Sequence, residues 1–260
     1  MVRKSLSQVF LFDRTALKRI ASSVPLRGKT VLEIGAGEGV LTELLAARVG
    51  AKGRIVALEI DRSLAEKMEK HLKGLKNVEV NFVDALKFDF GGFKIIFGNL
   101  PYHISSRILF KIIESRFSTA VLCLQKEFAE RLVAKPGEKE YSRLSVMSQN
   151  SCEIKILFEI PRFSFIPIPK VDSAVVLLEA KGEEGRVRLN EALIGALFQH
   201  KNQSIHKALF HSRRQFGLDK KRLVLLCEKM PFKDKRARQL GLKELSVLSE
   251  WFDSVILGKQ

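Results

Sequence analysis

The sequence is poor in cysteine, and its cysteines are widely separated. Cys123, Cys152 and Cys227 are the three in a chain of 260 residues, and no two of them form a Cys-x-x-Cys pair. A disulfide framework and a zinc site both need regularly spaced ligands, so neither is expected. We interpret the three as buried apolar residues and predict no bound metal.

Long apolar runs are also missing. No stretch of about 18 uninterrupted apolar residues occurs, and residues 1–5 lead into an amphipathic stretch rather than a signal-peptide core. Hydrophobic residues still make up 46% of the chain, which excludes a disordered protein. These features predict a soluble, cytoplasmic protein without membrane contacts, and we expect a monomer.

The chain has an excess of positive charge. Its 45 Lys and Arg residues against 29 Asp and Glu residues give a net charge of +16. Residues 181–260 hold 17 basic and 9 acidic residues, so half of the excess lies in the last third of the chain. This charge favours a polyanionic partner such as nucleic acid. A lysine-rich or thermophilic surface is the alternative explanation.

Short runs of β-branched and apolar residues alternate with helix-length segments as far as residue 180. The alternation predicts an α/β fold with a Rossmann-like, mostly parallel sheet covered by helices on both faces. Two later runs with shorter connections predict an antiparallel edge. The predicted strands are 30–35, 54–60, 78–85, 94–99, 119–125, 152–160 and 173–180.

A polar, glycine-containing break at residues 181–185 separates this region from the rest of the chain. Beyond it, apolar residues recur at helical spacing, as at Leu193 and Leu197 and at Ile205 and Leu209. We therefore expect one domain at 1–180 and a small helical domain at 186–260.

A glycine turn follows the first predicted strand of the sheet, with Gly35, Gly37 and Gly39 in the stretch VLEIGAGEGVLTELL. Glycines there allow a ligand to approach the backbone at the N-terminus of a helix. NAD, FAD and S-adenosylmethionine folds all use such turns. The spacing Gly-x-Gly-x-Gly differs from the dinucleotide Gly-x-Gly-x-x-Gly, which disfavours a pyrophosphate ligand without excluding it.

Acidic residues end the next two predicted strands. Glu59 can accept both hydroxyls of a ribose, and Asp84 can accept a hydrogen bond from an adenine amino group. Capping of a helix N-terminus is the alternative role for each of them. Both residues belong at the carboxyl edge of the sheet, where open α/β folds bind ligands.

The stretch GNLPYHISS ends the fourth predicted strand at the same edge. The side-chain oxygen of Asn99 and the main-chain carbonyl of Leu100 can accept hydrogen bonds from an adenine amine and draw its lone pair out of the ring. Pro101 has a fixed φ and no N–H, so it would hold that carbonyl outward. Tyr102 offers a ring face for stacking the base. A plain strand-to-helix turn is the alternative.

Five longer stretches carry a family resemblance: KSLSQVFLFD, GNLPYHISSRILFKII, QKEFAERLVAKPGEKEYSRLSV, FIPIPKVDSAVV and LFQHKNQSIHKALF. They resemble the KsgA-type small-subunit rRNA adenine dimethyltransferases, and the chain is identified as an archaeal or bacterial member. The resemblance implies a class I S-adenosylmethionine-dependent methyltransferase domain and a helical rRNA-binding domain. It also implies that two adjacent adenosines near the 3′ end of 16S rRNA in a pre-30S subunit each receive two methyl groups on N6.

The resemblance also assigns residues to the site. Its base-clamping residues fall on Tyr102 and Phe165, although Phe165 is also consistent with a core aromatic residue. The N-terminal arm, residues 7–11, reads Ser-Gln-Val-Phe-Leu and departs from the family's usual Gly-Gln-Asn-Phe-Leu. Val9 replaces the Asn and leaves at most a main-chain contact to the cofactor. The family's cofactor contacts fall on Val9, Leu11, Gly35, Glu59, Asp84 and Asn99.

Two other functions remain open at this point. An Erm-type methyltransferase of large-subunit rRNA shares the chemistry and most motifs, although the NLPY stretch and the tail favour the small subunit. A nucleic-acid-binding assembly or transcription factor would keep the fold without turnover, and the intact Asn99 and Tyr102 disfavour it. No general base is apparent, so we expect direct in-line transfer in which positioning dominates catalysis.

Overall fold

The computed structural model describes residues 9–255 and residue 258, without the side chains at 222 and 226. The beginning of the stretch KSLSQVFLFD, up to residue 8, lies outside the described residues. The strands are β1 (Phe10–Leu11), β2 (Thr30–Ile34), β3 (Arg54–Glu59), β4 (Val78–Phe82), β5 (Ile95–Asn99), β6 (Thr119–Gln125), β7 (Cys152–Ile160), β8 (Phe165–Ile166) and β9 (Ser173–Ala180). The helices are α1 (Arg14–Ala21), α2 (Val40–Val49), α3 (Ala65–Leu72), α4 (Ser105–Glu114), α5 (Lys126–Val133), α6 (Arg143–Ser151), α7 (Glu191–Gln199), α8 (Ile205–Ser212), α9 (Lys220–Cys227) and α10 (Leu242–Val255). None of these described helices is long and apolar enough to span a membrane.

The described part of the chain forms two compact units. The first lies within Met1–Ala129 and Cys152–Ala180, and the second within Glu130–Ser151 and Lys181–Gln260. In the first unit, seven strands form one sheet in the order β4-β3-β2-β5-β6-β9-β7. The neighbours from β4 to β6 are parallel, whereas β9 pairs antiparallel with both β6 and β7. The predicted α/β fold with an antiparallel edge is confirmed.

The strand order reverses at the centre of this sheet, where β3 lies on one side of β2 and β5 on the other. Helices that follow such strands leave in opposite directions, so a crevice opens at their carboxyl ends. Ile34 near the end of β2 pairs with Gly98 near the end of β5. The glycine turn and the NLPY stretch are therefore neighbours although about 60 residues separate them in sequence.

A short two-stranded ribbon also belongs to the first unit. In it β1 pairs antiparallel with β8, with Phe10 opposite Ile166 and Leu11 opposite Phe165. Asp13 then caps α1, because its Oδ1 accepts hydrogen bonds from the N–H groups of Thr15 at 2.9 Å and Ala16 at 3.1 Å.

The second unit is helical, and it contains a segment that the sequence places in the first domain. Tyr141 and Val146 are buried in the same apolar cluster as Leu193 and Phe252. The Tyr141 hydroxyl also donates a hydrogen bond to the carbonyl of Leu240 at 3.2 Å. The division therefore differs from the predicted ranges 1–180 and 186–260. A polar break such as 181–185 marks where the chain turns, but it cannot show which earlier helix packs with later ones.

Candidate functional site

A cavity of about 270 Å³ lies at the carboxyl ends of β2 and β5 in the first unit. Apolar residues of the arm and α1 form part of its wall, together with the glycine turn. The predicted site residues that line it are Val9, Leu11, Gly35, Glu59, Asn99, Leu100 and Pro101.

The glycine turn brings the backbone close to β5. Gly35 has φ +75°, and a Cβ atom there would lie 3.2 Å from the main-chain oxygen of Asn99. The N–H groups of Gly35 and Ala36 both donate to the carbonyl of Leu58, at 2.9 and 3.0 Å. A side chain at Gly35 would therefore strain the backbone and fill space between the two strand ends.

Glu59 is a buried carboxylate at the end of β3. Its Oε2 accepts a hydrogen bond from the Gly37 N–H at 2.8 Å, while Oε1 accepts from the N–H groups of Ile60 at 2.8 Å and Asp61 at 2.9 Å. These backbone donors fix the carboxylate against the glycine turn, on the cavity wall. A negative charge held in one place suits a cationic nucleoside ligand.

Asp84 lies two residues beyond the end of β4 and is not among the residues that line the cavity. Its Oδ1 accepts a hydrogen bond from the Leu86 N–H at 2.9 Å. This hydrogen bond closes a turn, whereas the alternative role for this residue was the cap of a helix. A contact from Asp84 to adenine remains a prediction.

Asn99 places a hydrogen-bond acceptor in the site. Its Nδ2 donates to the main-chain oxygen of Val9 at 3.2 Å, which fixes the orientation of the amide. Its Oδ1 is buried, and no donor in the described part of the chain reaches it. A buried acceptor without a partner costs about 1–3 kcal/mol, and a ligand N–H would recover that free energy.

The next two residues supply a second acceptor. The Leu100 N–H donates to the Cys123 carbonyl at 3.2 Å, whereas no donor among the described residues bonds the Leu100 carbonyl. The Pro101 carbonyl accepts from the Ile104 N–H at 3.1 Å and from the Ser105 hydroxyl at 3.2 Å. Pro101 has φ −56°, in the range that its ring fixes. The turn therefore occupies the carbonyl of Pro101 and leaves that of Leu100 to a ligand.

Val9 contacts Asn99 through its main chain. Its carbonyl accepts the hydrogen bond from Asn99. The ring of Phe10 lies over the glycine turn, since a Cβ atom at Gly37 would be 3.2 Å from its Cδ1. The arm thus contacts both the glycine turn and the amide of Asn99.

Tyr102 is anchored beside the cavity rather than lining it. It is half-buried, and its hydroxyl lies 2.9 Å from the hydroxyl of Ser173. Burial raises the pKa of the Tyr102 hydroxyl, so the group is neutral near pH 7. The hydrogen bond fixes the ring, as a stacking surface requires, and the stacking itself remains a prediction.

Phe165 lies in the core of the first unit. Its ring is fully buried, it does not line the cavity, and its backbone pairs with Leu11. A fully buried ring offers no free face to a base, so the clamping role remains a prediction. The exposed aromatic residue of the same segment is Phe163.

Glu33 and Cys123 also line the cavity, and the sequence did not assign either of them to the site. Burial raises the pKa of Glu33 to about 8, and the nearby Glu59 carboxylate adds to the rise. Burial raises the pKa of the Cys123 thiol to about 12, so this thiol is not a nucleophile near neutral pH. The signal for Glu33 was an acidic residue inside the apolar strand TVLEI.

The histidine, cysteine and acidic side chains suggest no metal centre. Within the described residues, no group of three or more of them is placed to hold a metal ion. Cys123 and Cys152 are buried and Cys227 is half-buried, and none of the three forms a disulfide bond within the described residues.

The cavity residues fit S-adenosylmethionine. The turn at Gly35 provides a close backbone approach that a Cβ atom would fill. Glu59 supplies a buried carboxylate on the cavity wall for a ligand with a positive charge. Val9 and Leu11 contribute the apolar part of the wall.

Comparison with known proteins agrees with this geometry. The family model described as ribosomal RNA adenine dimethylase matches residues 1–241. A protein of Thermococcus sibiricus named probable ribosomal RNA small subunit methyltransferase A is 42% identical over 250 residues, covering 95% of this chain and 90% of that protein. The Pyrococcus furiosus protein of the same name is 39% identical over 253 residues, covering 96% and 91%.

Two solved structures are similar over nearly their full length. The dimethyladenosine transferase of Plasmodium falciparum matches with a TM-score of 0.80 and 29% identity, covering 94% of this chain and 98% of that one. The 23S rRNA methyltransferase ErmE matches with a TM-score of 0.68 and 28% identity, covering 94% and 99%. The chain therefore belongs to the ribosomal RNA adenine dimethylase family of S-adenosylmethionine-dependent methyltransferases.

Proposed function

We propose that this chain transfers methyl groups from S-adenosylmethionine to N6 of two adjacent adenosines near the 3′ end of small-subunit 16S rRNA, two methyl groups to each. The observation that carries the proposal is the pair of acceptors without partners, the Oδ1 of Asn99 and the carbonyl of Leu100. An adenine amine has two N–H groups, one for each acceptor. The names of the archaeal relatives, which specify the small subunit, support the choice of rRNA.

The residues of the site act on the amine by positioning and polarisation. Asn99 and Leu100 accept its N–H bonds, which moves the nitrogen lone pair out of conjugation with the ring. Tyr102, held by Ser173, stacks against the base. Holding the reacting atoms at attack distance supplies much of the rate enhancement, because proximity replaces a bimolecular encounter.

S-adenosylmethionine, when bound, supplies a methyl group on a sulfonium, and the departing thioether is a good leaving group. Gly35, Glu59 and the arm residues Val9 and Leu11 would hold it in the cavity. Each transfer forms one nitrogen–carbon bond and releases one proton from the nitrogen. The methylated amine is acidic enough to lose this proton to water, so no general base is needed.

The basic second unit supports rRNA as the partner. Residues 181–260 carry 17 basic and 9 acidic residues, and contacts to phosphates make binding fall steeply with salt. We propose that a monomer acts in the cytoplasm on a pre-30S subunit. Specificity then comes from the folded subunit and the base pocket rather than from the phosphate contacts.

Methyl transfer to purified subunits tests the proposal. Tritium-labelled S-adenosylmethionine is incubated with small subunits that lack the modification and, in parallel, with large subunits. The modified nucleotides are then mapped by mass spectrometry. We expect label in dimethyladenosine of the small subunit alone.

The two competing functions predict other results. Label in the large subunit would indicate the activity named for the ErmE structure, the main rival because of its structural similarity. Binding to small subunits without label in either subunit would indicate an assembly or transcription factor without turnover.

A further inference from the structure

Large exposed apolar side chains of the first unit gather on two adjoining segments. Phe12 is 52% exposed, Phe163 is 63% exposed, and Ile166 and Ile168 are each 59% exposed. We call these four residues the exposed ribbon. Apolar side chains that cluster on a surface, rather than occurring singly, mark an interaction site.

The exposed ribbon continues from the methyl-transfer site. The Phe12 N–H donates to the carbonyl of Ser164 at 3.1 Å, which extends the pairing of β1 with β8 by one residue toward Phe163. Phe12 also lines the cavity that holds Asn99. Phe12 therefore lies at the cavity in which the proposed function places the target base.

Hydrogen bonds hold the segment that presents Phe163. The Ser164 hydroxyl donates to Asp13 Oδ2 at 3.2 Å, and the Arg162 N–H donates to Asp172 Oδ1 at 2.9 Å. Hydrogen bonds to the Asp13 carboxylate, chiefly from the Ala16 N–H, keep the pKa of this carboxyl below its usual range. The ring of Phe163 is therefore exposed on a structured turn, and little conformational entropy is lost when a ligand binds it.

The charges around the exposed ribbon suit a polyanion. Arg14, Arg162 and Lys170 are exposed beside it, and the guanidinium carbon of Arg162 lies 4.9 Å from the centre of the Phe163 ring. The nearby carboxylates of Asp13 and Asp172 already accept the hydrogen bonds described above. Aromatic rings between cations are the pattern that binds single-stranded nucleic acid, by stacking bases and contacting phosphates.

We propose that Phe12 and Phe163 stack against the nucleotides that flank the target adenosines, so that the exposed ribbon holds single-stranded rRNA at the mouth of the cavity. This inference rests on the proposed function for the identity of the RNA. The net charge of +16 and the continuity with the cavity favour RNA over a protein partner.

Fluorescence of a base analogue tests the stacking. A 3′-terminal fragment of 16S rRNA carries 2-aminopurine next to the two adjacent adenosines, and its quenching is measured as the protein is added. We expect quenching by the natural chain and by Phe163→Tyr. Phe163→Leu keeps the apolar bulk but removes the ring, whereas Phe163→Tyr, the matched control, keeps the ring. For Phe163→Leu we expect about tenfold weaker binding of the RNA fragment, with little quenching. Phe12→Leu should lose quenching in the same way.

The outcomes separate this inference from the proposed function. Equal quenching by the natural chain and Phe163→Leu overturns the inference and leaves an apolar protein contact as the role of the exposed ribbon. Absence of quenching by the natural chain also overturns it. Quenching without any methyl transfer to small subunits supports the inference while contradicting the proposed function. Thermal unfolding checks that the variants fold, as expected for exposed positions.

Discussion

Two walls of the same cavity differ in how their polar atoms are satisfied. At the end of β3, both carboxylate oxygens of Glu59 accept hydrogen bonds from backbone N–H groups. At the end of β5, the Oδ1 of Asn99 is buried without a donor in the described part of the chain. The first wall is complete before any ligand binds, whereas the second recovers free energy only when a ligand supplies an N–H group. Under the proposed function, we assign binding of the cofactor to the wall at β3 and chemistry on the amine to the wall at β5.

The substitution Asn99→Ala should have the largest effect. It removes the side-chain acceptor and the hydrogen bond to Val9, and we expect kcat for methyl transfer to fall by at least about 100-fold. Binding of S-adenosylmethionine, measured by calorimetry, should change much less. The control Asn81→Ala removes an amide whose bond goes to the Glu79 side chain. Near-normal turnover by Asn99→Ala would contradict the role assigned to β5.

The substitution Glu59→Gln should act on the other wall. The new amide nitrogen would face the N–H of Gly37 or those of Ile60 and Asp61, so at least one backbone donor loses its acceptor. We expect the Kd for S-adenosylmethionine to rise about 10- to 100-fold, with a much smaller change in kcat at saturating cofactor. The exposed Glu66→Gln serves as the control. An unchanged Kd would remove Glu59 from the cofactor site.

Substitutions at Tyr102 test whether its ring, which follows the end of β5, stacks against the target base. We expect Tyr102→Ala to raise the KM for rRNA about tenfold, because the ring is lost. Tyr102→Phe and Ser173→Ala each remove the hydrogen bond and keep the ring, so each should change KM only about twofold. Equal effects of the Ala and Phe substitutions would show that the hydroxyl, rather than the ring, is required.

Glu33 should affect methyl transfer least, and its expected effect is one of pH on stability. Its pKa is raised to about 8 in the folded chain, so the native state holds a proton that the unfolded state has lost above its ordinary pKa of 4.5. The stabilisation is complete below about pH 4.5 and declines through pH 8, by at most about 1.4 kcal/mol per pH unit. Urea unfolding of Glu33→Gln should show a shallower decline over this range. A parallel decline in the natural chain and the variant would assign the pH dependence to other groups.

The sequence was most informative where a local pattern determines the structure. The apolar runs predicted the seven strands of the large sheet to within three residues at either end, because a strand buried on both faces needs a continuous apolar segment. The acceptors at Asn99 and Leu100 followed in the same way, since the ends of parallel strands share one edge of the sheet.

Features that depend on pairing between segments far apart in the sequence could not be predicted. Phe165 is buried because β8 pairs with β1, more than 150 residues earlier in the chain. The exposure of Phe163, two residues away, gives no signal in the sequence. The raised pKa of Glu33 likewise depends on the nearby Glu59 carboxylate as well as on burial, which no local pattern records.

The placement of residues 130–151 in the second unit also affects the order in which the protein can fold during synthesis. The seven-stranded sheet is complete once Ala180 has left the ribosome. The apolar cluster around Tyr141 and Val146 is complete only after Leu245 and Phe252 have been synthesised. This segment must therefore wait for its last partners until about 100 further residues are made, and a fragment that stops at residue 180 would expose it permanently.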